Sequence, residues 1–301
     1  MLYRLNRSNI IYAFSKENQP VLHVDSGSQI EIETYDCFEN QILSNDASYQ
    51  GMDWDKVNPA TGPIFVSGAE AGDVLAVTID NIELDDQGVM AVSPGMGLLG
   101  DRIEEFEAKI MPVQGGKAIF DSTIEIPLNP MIGVIGVAPK EEPVSCGTPG
   151  SHGGNMDNKM ITTGATIYFP VHTEGALFAL GDLHAAMGDG EIGVTGIEIA
   201  AKVTVTLNVI KGFTIENPIL ETDEFISTIA SEQTLDLAVK RSVEDMINLL
   251  SERIELSFNQ MNMLCSAVGQ TQICQVVDPL LTARFQFPKW VLKKYNAKLF
   301  D

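Results

Sequence analysis

The stretch ALGDLHAAMGDGEIG (residues 179–193) brings Asp182, His184, Asp189 and Glu191 together directly after an apolar run. Carboxylates and an imidazole beside a buried strand are costly unless something satisfies them. The partner is each other, a turn, a calcium ion or a catalytic metal. In an extended strand, residues two apart share a face, so FALGDLH sets Asp182 and His184 side by side. One carboxylate oxygen and one imidazole nitrogen form a mixed donor pair that suits zinc. An aspartate orienting a structural histidine is the alternative. Asp36 adds a third donor. Along QIEIETYD (29–36) the alternation puts Ile30, Ile32, Thr34 and Asp36 on the core side, where an unpaired carboxylate is unstable. A metal, a helix N-terminus or an arginine would each satisfy it.

A second polar cluster, GSHGGNMDNK (150–159), flanks two consecutive glycines with His152, Asn155 and Asp157. Gly153 and Gly154 permit positive φ and close backbone approach, and the polar side chains suit a carbonyl or amide ligand. An ordinary polar turn is the competing explanation. In MGDGEIGVTGIE (187–198), Gly188-Asp189-Gly190 forms a tight turn that returns Glu191 towards Asp182 and His184. Glu198 lies further along, with Lys202 four residues on as the partner expected of a surface glutamate. The acids lack EF-hand spacing. Neither a phosphate-binding loop nor a dinucleotide fingerprint is present, and the G-x-S-x-G nucleophile motif is missing. Cys146, with His152 six residues away, is the one thiol nucleophile to consider.

The elements that must hold these residues read as β structure through most of the chain. QIEIETYD alternates, and DVLAVTIDNIEL (73–84) ends in DDQG, a strong turn signal. GATIYFPV (164–171), GALFALGDLH (175–184) and KVTVTLNVI (202–210) follow. After about residue 215 the pattern changes. LDLAVKRSVEDMINLLSER (235–253) has helical spacing, SFNQ (257–260) is a capping box for a second helix, and QICQVVDPLLTARFQFPKWVL returns to strand. The expected fold is mainly β, an antiparallel sandwich or barrel-like body over 1–215, with a smaller α+β portion over 216–301 packed on it.

Composition narrows the partners. The chain has 301 residues, 45% of them hydrophobic, and a net charge of -22. That surface repels nucleic acid and anionic membranes, which need a basic footprint, and disfavours polyanionic substrates. A small neutral or cationic molecule fits better. The four cysteines lack any CxxC spacing, so a disulfide framework or zinc ribbon is not expected. The first twenty residues carry charges where a signal peptide has its apolar core, and no run is long enough to span a bilayer. A cytoplasmic protein is expected.

These motifs together resemble the acetamidase/formamidase family. The matching stretches are GPIFVSGAEAGDVLAVTI (62–79), IGVIGVAP (132–139), HGGNMDNKMITTGATIYFPV (152–171) and GALFALGDLHAAMGDGEIGVTGIE (175–198). ETYDCFENQI (33–42) and QICQVVDP (272–279) extend the likeness over nearly the whole chain. The resemblance implies a mainly β fold, a homodimer or higher homo-oligomer, and hydrolysis of a short carboxamide to a carboxylate and ammonia with a divalent metal of the zinc type. Asp36, Asp182 and His184 match the metal positions by motif. His152, Asn155 and Asp157 match the polar pocket, with Gly153 and Gly154 as oxyanion donors. Glu191 and Glu198 match the acids after GDGE, with Glu191 the expected base and His152 or Glu198 its substitutes. Met187 and residues 37–40 depart from the formamidase pattern, which points to a different small amide. The other expectations to weigh are a hydrolase of cyclic amides such as lactams on the same site, and a non-catalytic β protein binding calcium.

Overall fold

The computed structural model describes residues 2–300. Among them, eighteen strands are joined by ladder hydrogen bonds into one network, and Ala13–Phe14 with Val144–Ser145 form a separate pair. Most neighbours are antiparallel. Leu2–Leu5 beside Ser28–Glu33 and Leu22–Asp25 beside Ala60–Ser67 are parallel. The body is mainly β as expected, but it does not close into a barrel.

The strand Phe178–His184 lies at the centre and is buried at every position. It pairs with Met131–Gly136, with Ala60–Ser67 and, at its end, with Glu198–Ile210. The last pairing sets His184 directly opposite Glu198, so a ladder rather than a loop places these two side chains together. Glycines make the crowding feasible. A Cβ on Gly181 would lie 2.1 Å from the Pro59 carbonyl oxygen. A Cβ on Gly133 would lie 2.4 Å from Asp157 Oδ1 and 2.6 Å from Asp182 Oδ2.

One expected turn is absent. The strand Val74–Val92 runs straight through DDQG. Its partner Glu198–Ile210 absorbs two register shifts beside it, and Glu107–Gln114 pairs with its far half from Gln87 onward. The acids 85 and 86 are exposed, so water solvates them and the ladder overrides the local turn preference.

Residues 216–300 join the same network through Tyr168 opposite Ile219. Helix Leu235–Ser251 is capped by Thr234, whose side chain accepts from the Leu237 N–H. Helix Phe258–Val268 opens with the reciprocal Ser257/Gln260 capping box. Both cover a second core of Met246, Leu250, Met261, Phe285 and Phe287.

Arg284, on strand Leu281–Pro288, is the largest fully buried side chain. Its guanidinium donates to both Asp189 carboxylate oxygens at 3.0 and 2.9 Å, to Gln272 Oε1 at 2.7 Å and to Asn158 Oδ1 at 3.1 Å. The C-terminal portion is thereby tied to the turn at 188–190. Replacing Arg284 by Met removes its hydrogen bonds to Asp189, Gln272 and Asn158 while Asp189 keeps Lys159 and Asn158 keeps the Met160 N–H, so a loss of about 2 kcal/mol is expected in urea unfolding. A loss below about 0.5 kcal/mol would show that the fork does not hold the two portions together.

Candidate active site

Four carboxylates converge on His184. Nε2 lies 3.2 Å from Glu198 Oε2, 3.5 Å from Asp182 Oδ1, 3.7 Å from Asp157 Oδ1 and 3.9 Å from Glu191 Oε1. All five residues are buried. Neither His184 nitrogen has a hydrogen-bond partner, and Glu198 Oε2 and both Asp157 oxygens are also unpartnered. The 3.2 Å approach is therefore a facing of groups, not an aligned bond. Nδ1 backs onto Gly196, where a Cβ would come within 2.5 Å of it.

The backbone is bent to bring the acids in. Asp157, Asp182 and Glu191 have φ of 43°, 55° and 46°, a left-handed conformation that non-glycine residues adopt at a cost and that clusters at functional sites. Glu191 is delivered by its turn, which is clamped to the C-terminal portion. The Gly190 N–H donates to Cys274 O at 2.8 Å, and the Val276 N–H donates to Gly190 O at 3.1 Å.

The electrostatics follow from burial. Desolvation, with Asp182 nearby, pushes Asp157 up to about 6. Desolvation also raises Glu198 to about 8 despite the facing imidazole. It lifts Glu191 well above the usual carboxylate range, with Asp157 adding to it. Burial alone would lower His184, but Glu198 and Asp182 outweigh it and hold the ring well above its ordinary value. The cluster thus keeps protons that its members would lose in water.

Two sets of three donors lie within 4.8 Å of one another, Asp157 with His184 and Glu191, and Cys37 with Asp182 and Glu198. Unpartnered buried oxygens around an unpartnered imidazole fit a divalent cation, since such groups are stable only when paired or ligated. The cluster borders a cavity of about 280 Å³ lined by Asp182, Glu191, Glu198, Asn155, Asp278 and an apolar wall. A larger groove of about 1130 Å³ runs along helix Leu235–Ser251, and none of the clustered acids lines it.

The acetamidase/formamidase family model matches residues 9–148 and 144–292. The chain belongs to that family. A predicted acetamidase/formamidase from Thermoanaerobacter tengcongensis has a crystal structure that superposes with TM-score 0.96 at 53% identity, covering 98% of each chain. The acetamidase of Bacillus halodurans superposes with TM-score 0.95 at 44% identity, covering 97% of this chain and 99% of that one. The formamidase of Methylophilus methylotrophus is 27% identical over 266 residues, 66% of this chain and 64% of its own length. The chain therefore spans under two thirds of the curated relatives it matches.

Within this family member, the residues singled out in the sequence fall in different places. Asp182, His184, Glu191, Glu198 and Asp157 meet in the cluster. Glu198 is buried, and Lys202 pairs with Glu33 instead at 3.6 Å. Asp36 is buried, and its Oδ1 closes its own loop by accepting from Phe38 N at 2.9 Å and Asn40 N at 2.7 Å. It stands outside both tight donor sets, although burial lifts it to about 6 and Asp182 contributes. Asn155 lines the cavity, whereas neither Gly153 nor Gly154 does, and the Gly153 N–H is spent on Gly150 O. His152 is buried edge-on against Phe14, with burial holding it down at about 4. Cys146 donates to Ile11 O, and burial pushes its thiol up to about 12, which removes it as a nucleophile. Asp189 turns away to Arg284 and Lys159.

Two members were missed in the sequence. Cys37 follows Asp36 directly, and its signal was adjacency to a core-side acid. Asp278 sits in VVDP, an acid after an apolar pair before proline. Burial and Asp157 lift it well above the usual range.

The linkage sign is the same for the raised groups of the cluster and opposite for His152, which lies outside it. Glu198, Asp157 and His184 hold protons in the folded state that the unfolded chain releases at lower pH. The stability these three contribute is therefore lost as pH rises from about 4 towards 8. Chelated protein should lose at least roughly 3 °C in Tm between pH 5.5 and 8.5, and added zinc should raise Tm more at pH 8.5 than at 5.5. A flat or rising Tm in the chelated protein would contradict the proton-loaded cluster.

Proposed function

We propose that this chain is a metal-dependent amidohydrolase that converts a small uncharged carboxamide to a carboxylate and ammonia. The observation that carries the proposal is the unpartnered His184 imidazole facing four buried carboxylates, three of which, Asp182, Glu191 and Glu198, line the cavity. Family membership and the named formamidase and acetamidases among its relatives support it.

His184, Asp182 and Asp157 are the proposed holders of the cation, with Glu198 alongside, and Asp36 positions the loop that carries Cys37. When bound, a divalent cation supplies Lewis acidity at the amide carbonyl and lowers the pKa of water. The imidazole favours zinc, and the surrounding carboxylates make calcium the alternative. Asn155 lines the cavity, and a side-chain N–H of it would donate to the carbonyl oxygen as negative charge builds there. Glu191 takes a proton from water at its carboxylate as the oxygen adds to the carbonyl carbon. It then returns that proton to the nitrogen, the carbon–nitrogen bond breaks, and ammonia leaves. Its carboxylate would be free to act as base once a cation's charge offsets the burial that keeps it protonated, and its raised pKa suits the return of the proton to nitrogen. His152, buried and uncharged, supports the segment that carries Asn155.

The calcium-binding protein without activity has less support, because it gives no use to an imidazole at the centre of the cluster. A lactam fits the same chemistry, with the nitrogen remaining tethered to the product. Assembly as a homo-oligomer belongs to the proposal and is read by light scattering. Among the described residues, no helix is long and apolar enough to cross a membrane.

Ammonia release and metal content measured on one preparation test the proposal. Chelation should abolish turnover and zinc should restore it. Glu191→Gln should lower kcat by about 10²–10⁴-fold while the protein keeps its metal. Near-normal turnover in that variant removes Glu191 as the base, and metal-free protein with full activity sinks the mechanism.

A further inference from the structure

The cavity lining is of two unlike kinds. Asp182, Glu191, Glu198, Asp278 and Asn155 are its polar residues at or near the cluster. Phe38, Trp54, Val57 and Phe106 pack together in one hydrophobic cluster and, with Met96, supply much of its apolar wall. Trp54 has one polar atom, and that Nε1–H donates to Tyr49 O at 3.1 Å, so the ring offers only its hydrocarbon surface. Tyr49 stacks on Trp54 with centroids 4.5 Å apart, and Phe106 meets it edge-on at 6.4 Å.

This wall is fixed in place. The Gln41 side chain bonds the Asp53 backbone twice, donating to Asp53 O at 3.2 Å and accepting from Asp53 N at 2.8 Å. The Asn58 N–H donates to Cys37 O at 2.7 Å. Among the described residues no lysine or arginine lines the cavity, so a carboxylate on the substrate would find acids and no cation from the chain.

Size points the same way. The cavity measures about 280 Å³, close to the lower bound of about 300 Å³ for pockets that take drug-sized ligands. Formamide or acetamide beside the acids would leave the aromatic wall facing water and forgo the burial it offers. Resting on the amidohydrolase proposal, we infer that the substrate is an uncharged primary carboxamide whose acyl group is a ring or branched hydrocarbon lying against Phe38, Trp54 and Phe106. Trp54 sets that preference.

The test compares kcat/KM for formamide, acetamide, cyclohexanecarboxamide and phenylacetamide, with calorimetric titration of the same amides. The ring amides should exceed acetamide by at least about tenfold, chiefly through KM. Trp54→Ala should cut the ratio of ring amide to acetamide by a similar factor. If that variant does not fold, Phe106→Ala reads the same wall. A higher kcat/KM for acetamide than for both ring amides overturns this substrate class and leaves the amidohydrolase proposal standing. If no amide turns over, that proposal fails and calorimetry decides the pocket alone. Tighter binding of cyclohexanecarboxamide than of acetamide then supports the apolar wall as the binding determinant, and equal or weaker binding overturns it. An unchanged ratio in Trp54→Ala overturns its assignment.

Discussion

His184 is fully buried with four carboxylates within 3.9 Å of one nitrogen, and a protonated ring neutralises only one of them. Buried charge of one sign has few outcomes: the acids keep their protons, a cation enters, or the fold opens. Burial favours proton retention at Asp157, Glu191 and Glu198. A divalent cation bound there would compete with those protons for the same oxygens, so its affinity would depend on pH. The strained φ at Asp157, Asp182 and Glu191 adds to the same balance, since left-handed carboxylates persist only where the surroundings over-determine them.

What over-determines them is the sheet. Phe178–His184 is held by three strands, so the end carrying Asp182 and His184 cannot drift without breaking ladders on both sides. Glu198 enters from the neighbouring strand in register with His184, and Gly133 and Gly196 leave room where a methyl group would strike the cluster. Rigid strands, with glycine at the points of closest approach, therefore do the positioning.

Much of this was legible from the residues. Period-two alternation marked the strands, and the capping box at Ser257 marked its helix. The D-x-H pair and the GDGE turn marked the centre of the cluster because both break an apolar pattern at short range. Glu198 was ambiguous, since a lysine four residues away on an exposed face looks the same in sequence as one paired elsewhere. DDQG misled because turn preference is local while a ladder is not. Arg284, Cys37 and Asp278 depend on contacts between distant segments, with Asp189 ninety-five residues from Arg284. No local pattern encodes such a meeting.

The Arg284 fork bears on the site through charge as well as packing. One turn carries two acids, Asp189 and Glu191, only one residue apart, and they point to opposite fates. Asp189 is neutralised by Arg284 and Lys159, while Glu191 enters the cluster among Asp157, Glu198 and Asp278. Without a cation behind the turn, Asp189 would add another negative charge near oxygens that already resist ionising. Fixing the turn through Arg284 and the Gly190 backbone bonds then does two things at once. It sets the depth at which Glu191 reaches the cavity, and it leaves the unneutralised acids on the cavity side of the turn. The C-terminal portion, which lends only Asp278 and its neighbours to the cavity lining, thus governs the site from behind the turn.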